Sequence, residues 1–213
     1  MHRTYLFDFD GTLVDSMPCW GEKMLNILRH EGITPKPGLV SHIATLGDKG
    51  TAKYFREELH VTLSEEEMFS MMDEYALPRY RDEIPLKEGV EDYLRRMKAM
   101  GVRLNILTAS PHKMLDPCLK RLGVWELFDK VWSCDDLGTV KSDPEIYRIA
   151  ARELGVRTAE VAFFDDNLGA VRTAASAGMF TVGVYDASGE PLLSLLQSAA
   201  DVYISTFAGL SAV

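Results

Sequence analysis

Two aspartates, Asp8 and Asp10, stand two residues apart directly after the apolar run Tyr5-Leu6-Phe7. An apolar run of this kind predicts a central strand of a parallel sheet, and such sheets bind ligands just beyond the carboxyl ends of their strands. Side chains i and i+2 of a strand share a face, and Gly11 lets the backbone turn away from the strand. We therefore expect both carboxylates to reach one crevice.

Two carboxylates held this close repel each other, so their coexistence as anions indicates a cation nearby. A hard ion that prefers oxygen ligands, such as Mg²⁺, is the simplest choice. A short Asp-x-Asp motif also occurs in turns and surface loops, and the spacing alone leaves that structural interpretation open.

Further polar groups follow other predicted strands. Thr108 comes after the predicted strand 102–107, and its hydroxyl together with nearby amide groups around Ala109 would suit a phosphate oxygen. Lys141 precedes a predicted helix start, where the helix dipole disfavours a positive charge. A candidate role for its ammonium is therefore to offset the charge of a phosphate. Asp165 and Asp166 end the apolar run 161–164. Each group alone also has an ordinary structural explanation.

The segment 17–83 has helical periodicity and no convincing strand. Helices are predicted over 51–59 and 64–77, the second opened by a capping box of Ser64 and Glu67 and followed by Pro78. From residue 84 onward helices and strands alternate, with Ser110 as the predicted cap of one helix and Asn167 of another. The order predicts an α/β fold, a doubly wound parallel sheet formed by residues 1–16 and 84–213, with an inserted helical cap over 17–83.

Composition limits the partners. The chain has 213 residues and a formal net charge of −9 without a basic cluster, which disfavours nucleic acid and anionic membranes as partners. The three cysteines are odd in number and widely spaced, as is typical of reduced thiols. Because neither a leader pattern nor a long apolar stretch is visible, we expect a cytoplasmic protein.

Taken together, these segments resemble the haloacid dehalogenase-like superfamily of phosphohydrolases. The branch is the one with a helical cap between its first two motifs, which includes phosphoglycolate phosphatase and β-phosphoglucomutase. The matching segments, in chain order, are Asp8-Phe9-Asp10-Gly11-Thr12-Leu13-Val14-Asp15-Ser16, Thr108, Lys141-Ser142-Asp143-Pro144 and Asp165-Asp166. Two positions depart from the family pattern: Ser142 stands where Pro is common, and Ala170 stands where many members have a further Asp.

The resemblance implies a role for each aspartate. Asp8 is the expected nucleophile, which forms an aspartyl-phosphate, and Asp10 is the expected general acid and then base. Mg²⁺ is expected on the Asp8 carboxylate, the Asp10 backbone carbonyl and Asp166, with Asp165 in support.

The resemblance also implies how phosphate is held. Thr108 and Lys141 are expected to bind the phosphoryl oxygens, together with the Ala109 segment. Gly11 and Thr12, which shape the adjacent turn, are also expected to bind phosphate. The expected enzyme is a magnesium-dependent phosphatase of a small phosphorylated metabolite, without a nucleic-acid or membrane partner.

Two other functions remain open from the sequence. A sugar-phosphate mutase of the β-phosphoglucomutase type would use the same aspartyl-phosphate. A phosphoacceptor signalling domain is a remote alternative, since its acids precede the hydroxyl and the lysine, whereas here an acidic pair comes last. Substrate choice is expected in the cap, where we interpret five residues as a polar loop: His42, Thr45, Gly47, Asp48 and Lys49. Substrate identity and oligomeric state have no sequence signal.

Overall fold

The structure is a computed structural model that describes residues 2–44 and 46–213. The described residues form a six-stranded sheet in the order β3-β2-β1-β4-β5-β6, and every neighbouring pair is parallel. The predicted α/β doubly wound sheet is confirmed. Its strands are β1 Thr4–Phe7, β2 Arg103–Thr108, β3 Lys130–Ser133, β4 Val161–Asp165, β5 Phe180–Val184 and β6 Val202–Ile204.

Helices account for most of the remaining described chain. Five lie between β1 and β2: α1 Met17–His30, α2 Leu39–Ala44, α3 Gly47–Glu58, α4 Glu65–Asp82 and α5 Val90–Ala99. The others are α6 His112–Arg121, α7 Glu145–Glu153, α8 Leu168–Ser176 and α9 Leu193–Ala199.

Strand β1 is central because both of its faces are apolar. Tyr5 and Phe7 join the large cluster on one face of the sheet, where Phe7 stacks on Phe164 with ring centroids 4.5 Å apart. Leu6 joins the cluster on the other face with Phe163. Burial on both sides leaves the carboxyl end of the strand as the place where polar side chains can stand.

The helices α1 to α4 bury an apolar cluster of their own, which includes Met24, Phe55 and Met68. Helix α4 also reaches beyond it, since Ala76 and Tyr80 belong to the large cluster on the sheet. One helix thus connects the two apolar regions. The division into a core and a cap stays a prediction.

The predicted end of this helix was wrong. The Ser64 capping box is present as predicted, but α4 continues through Pro78 to Asp82. A proline inside a helix removes one backbone hydrogen bond. Burial of Tyr80 beyond Pro78 offsets that loss, because continuing the helix places this side chain in the same apolar cluster as Ala76.

Two other local predictions were also wrong. The N-cap of α6 is Pro111, and the Ser110 hydroxyl instead donates to Asp10. The polar loop of the cap is helical where the structure describes it, because His42 lies in α2 and α3 already begins at Gly47. The other predicted members are Asp48 and Lys49, which lie in the first turn of α3, and Thr45, which lies outside the described residues.

Two further findings concern the cysteines and the length of the apolar helices. The three cysteines Cys19, Cys118 and Cys134 are free thiols. Over residues 2–44 and 46–213, no helix is long and apolar enough to span a membrane.

Candidate active site

Asp8 lies immediately beyond β1 and is held between two neighbouring segments. Its backbone N–H donates to the Phe164 carbonyl at 2.8 Å, which continues the pairing of β1 with β4. Its Oδ1 accepts a hydrogen bond from Lys141 Nζ. Only 6% of Asp8 is exposed, so this carboxylate depends on the protein and not on water for its partners.

Asp8 is one of three carboxylates gathered at this edge of the sheet. Asp8, Asp165 and Asp166 each offer an oxygen within 4.8 Å of the others. Burial, followed by the charge of Asp165, raises the pKa of Asp8 to about 7 against the opposing effect of Lys141. Burial and the charges of Asp165 and Asp8 likewise raise the pKa of Asp166 well above its usual range. The cluster therefore has more negative charge than one lysine offsets, and its oxygen donors suit a hard divalent cation.

Lys141 is the cation inside the cluster. Its Nζ donates to Asp8 and, at 2.9 Å, to Asp165 Oδ2, and its side chain is 15% exposed. Burial disfavours the ammonium, but the charges of Asp165 and Asp8 outweigh burial and hold the pKa of Lys141 well above its usual range. Lys141 is thus permanently charged beside Asp8.

Asp10 has different partners. Its Oδ1 accepts from Ser16 Oγ at 2.6 Å and from Tyr80 Oη at 2.5 Å, and its Oδ2 accepts from Ser110 Oγ. We call Ser16, Tyr80 and Ser110 the hydroxyl cage. The sequence did not predict that these three hydroxyl groups surround Asp10. Tyr80 in particular has no local sequence motif for this contact, because it reaches Asp10 from the far end of α4 only once the chain has folded.

Gly11 and Thr12 form the turn against which Asp166 packs. Gly11 has φ +74°, and a Cβ there would lie 2.6 Å from Asp166 Oδ2, so a side chain is excluded. The Thr12 hydroxyl donates to Asp166 Oδ1 at 3.0 Å and accepts from the Asp166 N–H at 3.1 Å. The two residues predicted to shape the turn also fix the position of an acid 154 residues away.

Thr108 ends β2 next to β1, and only 1% of it is exposed. Its Oγ1 accepts from the Ser110 N–H at 3.1 Å, while Ala109 between them is exposed. The predicted phosphate-binding segment therefore lies at the carboxyl edge of the sheet, on the other side of β1 from β4.

Two charged residues near the acids were not singled out from the sequence. Lys87, in the loop after α4, donates to the carbonyl of Gly11 at 2.7 Å and to Asp186 Oδ2 at 3.0 Å.

Ala170, where the family often has a further Asp, is buried in the apolar cluster around α8. Asn167 caps α8 as predicted, accepting from two backbone N–H groups.

Comparison with known proteins agrees with this arrangement. A family model described as haloacid dehalogenase-like hydrolase matches residues 2–178. The chain belongs to the haloacid dehalogenase-like hydrolases. The match includes all the predicted catalytic and metal-binding residues, which lie between Asp8 and Asp166.

Two curated relatives of this chain have phosphatase names. Pyrophosphatase PpaX of Bacillus velezensis is 30% identical over 182 residues, covering 84% of this chain and 81% of PpaX. Hexitol phosphatase B of Escherichia coli K12 is 25% identical over 211 residues, covering 97% of this chain and 93% of that enzyme.

A solved structure shows the same fold. CbbY of Rhodobacter sphaeroides, in complex with xylulose-1,5-bisphosphate, superposes with a TM-score of 0.85 at 23% identity, covering 99% of this chain and 97% of CbbY. The predicted family, fold and enzyme class are confirmed. Membership in a hydrolase family removes the signalling-domain alternative.

Proposed function

We propose that this hydrolase is a magnesium-dependent phosphatase of a small phosphorylated metabolite and acts through an aspartyl-phosphate on Asp8. The proposal rests on one observation: Asp8 and Asp10, two residues apart, have different surroundings. Asp8 lies among Lys141, Asp165 and Asp166, whereas Asp10 lies in the hydroxyl cage. One is placed to receive a phosphoryl group and the other to move protons.

In the first half of the reaction an Asp8 carboxylate oxygen attacks phosphorus in line. The new Asp8–phosphorus bond forms as the bond from phosphorus to the ester oxygen of the metabolite breaks. Asp10, protonated at this stage, gives its proton to the departing oxygen. Lys141 and Thr108 hold the phosphoryl oxygens, and the Lys141 ammonium offsets their charge.

In the second half a water molecule attacks the aspartyl-phosphate. Asp10, now a carboxylate, takes a proton from that water as the oxygen bonds to phosphorus. The Asp8–phosphorus bond breaks, which releases inorganic phosphate and restores both aspartates. Splitting one displacement into two is the advantage of a carboxylate nucleophile.

The acidic cluster would hold Mg²⁺ through Asp8, Asp166 and the Asp10 backbone carbonyl, with Asp165 in support. When bound, the ion supplies positive charge that offsets the charge of the phosphoryl group and of the acids themselves. The raised pKa of Asp8 and of Asp166 supports this assignment, because burial and the charges of neighbouring carboxylates disfavour both anions, and a divalent cation would offset those charges.

The metabolite and the location of the protein stay predictions. The phosphatase names of the relatives favour hydrolysis, and no contact among the described residues favours the mutase alternative. We expect the helices α1 to α4 to open for substrate and to close to limit water. The cytoplasmic location rests on the sequence alone.

A panel of phosphorylated metabolites, assayed for inorganic phosphate with and without EDTA, tests the proposal. We expect metal-dependent turnover by the wild type and none above background by Asp8→Asn. Turnover that survives this substitution would overturn the mechanism. Sugar phosphates are analysed in parallel for isomerised product, because accumulation of isomer in place of phosphate would identify a mutase.

A further inference from the structure

Lys87 is a charged side chain with no part in the reaction described above, and it is 17% exposed. Its ammonium donates three hydrogen bonds: to the Gly11 carbonyl at 2.7 Å, to the Tyr185 carbonyl at 2.5 Å and to Asp186 Oδ2 at 3.0 Å. An ammonium has three donors, so this one is fully used. It therefore connects the turn after β1 to the segment after β5.

The backbone on which Lys87 stands is itself fixed to the first motif. The Lys87 N–H donates to the Leu13 carbonyl at 2.9 Å, and the Asp15 N–H donates to the Pro85 carbonyl at 3.0 Å. Two residues later, Gly89 packs so tightly that a Cβ would lie 2.2 Å from the Ala208 nitrogen. The ammonium is thus attached to a rigid base, and its position is determined.

The carbonyl that Lys87 holds belongs to the turn on which Asp166 rests. Asp166 occupies the space beside Gly11 that a Cβ would need, and Thr12 exchanges two hydrogen bonds with the same residue. Lys87 is therefore connected to Asp166 through the backbone turn of Gly11 and Thr12.

We infer that Lys87 is a positioning residue that, with Asp186, locks the Gly11 turn so that Asp166 stays in place as a metal ligand. The inference rests on the proposed function, because it assigns Lys87 to the magnesium site of the same reaction. Asp186 is itself fixed, since its Oδ1 accepts from the N–H and hydroxyl of Ser188 at 2.9 and 2.6 Å. Groups that orient metal ligands in this way change metal affinity or activity by about 10- to 100-fold when removed.

The test compares Lys87→Met with Lys98→Met. Lys98 is a matched control because its Nζ also pairs with an aspartate, Asp129 Oδ1, at 2.7 Å, but next to Leu104 near the start of β2. Binding of Mg²⁺ to each metal-free protein is measured by titration calorimetry, together with kcat, KM and melting temperature. This gives a readout of the metal site that is independent of turnover.

We expect Lys87→Met to weaken Mg²⁺ binding and to lower kcat by about tenfold or more, with KM for the substrate within about twofold. Lys98→Met should leave all three unchanged, whatever it does to melting temperature. Lys87→Arg, which keeps the charge and several donors, should recover part of the Mg²⁺ affinity. A purely structural lysine would instead lower the melting temperature and leave Mg²⁺ affinity and kcat alone.

Equal Mg²⁺ affinity and kcat in the Lys87 and Lys98 variants would overturn the inference while the phosphatase proposal stands. Failure of the wild type to bind Mg²⁺ or to release phosphate would overturn the proposed function and this inference with it. If Lys87→Met does not fold, Lys87→Gln is compared with Lys98→Gln by the same criteria.

Discussion

Asp8 and Asp10 are the same residue type two positions apart, yet the fold gives them opposite surroundings. Asp8 has an ammonium, Lys141, and two further carboxylates around it. Asp10 has the hydroxyl cage, whose members carry no formal charge in the protein. Sequence spacing placed both acids at one strand end, but the difference between them comes from side chains contributed by distant elements.

The difference supports the two separate roles that the proposed mechanism gives to one residue type. In the proposed mechanism Asp8, which lies beside Lys141 and two further carboxylates, is the nucleophile, whereas Asp10, which lies in the hydroxyl cage, transfers protons. Which acid does which task is therefore decided by the groups around it. Substitutions on each side should give separable effects.

The largest expected effect separates the two acids by the step that each performs. Asp8→Asn should lower kcat by about 10⁴-fold or more, because it removes the proposed nucleophile. Asp10→Asn should cost about 10² to 10⁴-fold, because it removes acid and base catalysis. With p-nitrophenyl phosphate, whose leaving group needs little protonation, Asp10→Asn should accumulate phosphoenzyme, measured by intact mass or by acid-stable ³²P labelling.

Asp8→Asn should never become labelled under the same conditions. Circular dichroism of both variants controls for folding. Labelling of Asp8→Asn, or equal behaviour of the two variants, would abolish the distinction between the two acids.

A second large effect concerns the acidic cluster. Mg²⁺ at 100 times its dissociation constant should raise the free energy of unfolding of the wild type by about 2.7 kcal/mol. Asp166→Asn should lose most of this increase, because it removes one of the clustered carboxylates. Thermal unfolding with Mg²⁺ and with EDTA measures the difference, and an undiminished increase in the variant would place the ion elsewhere.

The hydroxyl cage should have an intermediate effect. Tyr80→Phe removes a hydrogen bond of 2.5 Å to Asp10 Oδ1. Hydrogen bonds to charged groups contribute about 1.5–3 kcal/mol, so kcat should fall by roughly ten- to a hundredfold while Mg²⁺ affinity is unchanged. Tyr75→Phe on the same helix is the control, since the Tyr75 ring packs against the Arg79 guanidinium. Equal kcat for both variants would remove Tyr80 from the catalytic arrangement.

Thr12→Val tests the acidic cluster around Asp8, to which Asp166 belongs. It removes both hydrogen bonds to Asp166 but keeps the shape of the side chain. We expect Mg²⁺ to bind about tenfold more weakly, because the ligand is less well oriented. Activity at saturating Mg²⁺ should return close to the wild-type value, and an activity loss that Mg²⁺ does not restore would indicate a direct role in phosphate binding.

The smallest expected effect is a pH dependence of the free energy of unfolding, which comes from a histidine near the hydroxyl cage. His112, two residues after Ser110, bonds to Asp116 and Asp136, each at 2.7 Å. These hydrogen bonds, that to Asp116 first, raise the pKa of His112 above its usual 6.5. The resulting stabilisation is complete below pH 6.5 and is lost as pH rises through the higher folded pKa.

The free energy of unfolding should therefore decline over that interval in the wild type, and less in His112→Gln. The imidazole is 40% exposed, so the decline should be shallow. Chemical denaturation at several pH values measures it, and identical slopes for the two proteins would contradict the assignment.

The sequence by itself determined the fold class and the acids. Apolar runs that end in polar residues are local signals, and they predicted β1, β4 and the residues beyond them. Capping residues such as Ser64 and Asn167 are equally local, because a cap bonds to backbone groups within three residues.

Tertiary structure alone decided how those acids differ. Tyr80 reaches Asp10 because burial of the α4 residues around Pro78 keeps that helix intact, and Ser110 donates to Asp10 instead of capping α6. Lys87 reaches Gly11 across 76 residues of chain. Local sequence patterns do not predict such contacts. The free energy of these contacts depends on packing that exists only when distant segments have already come together.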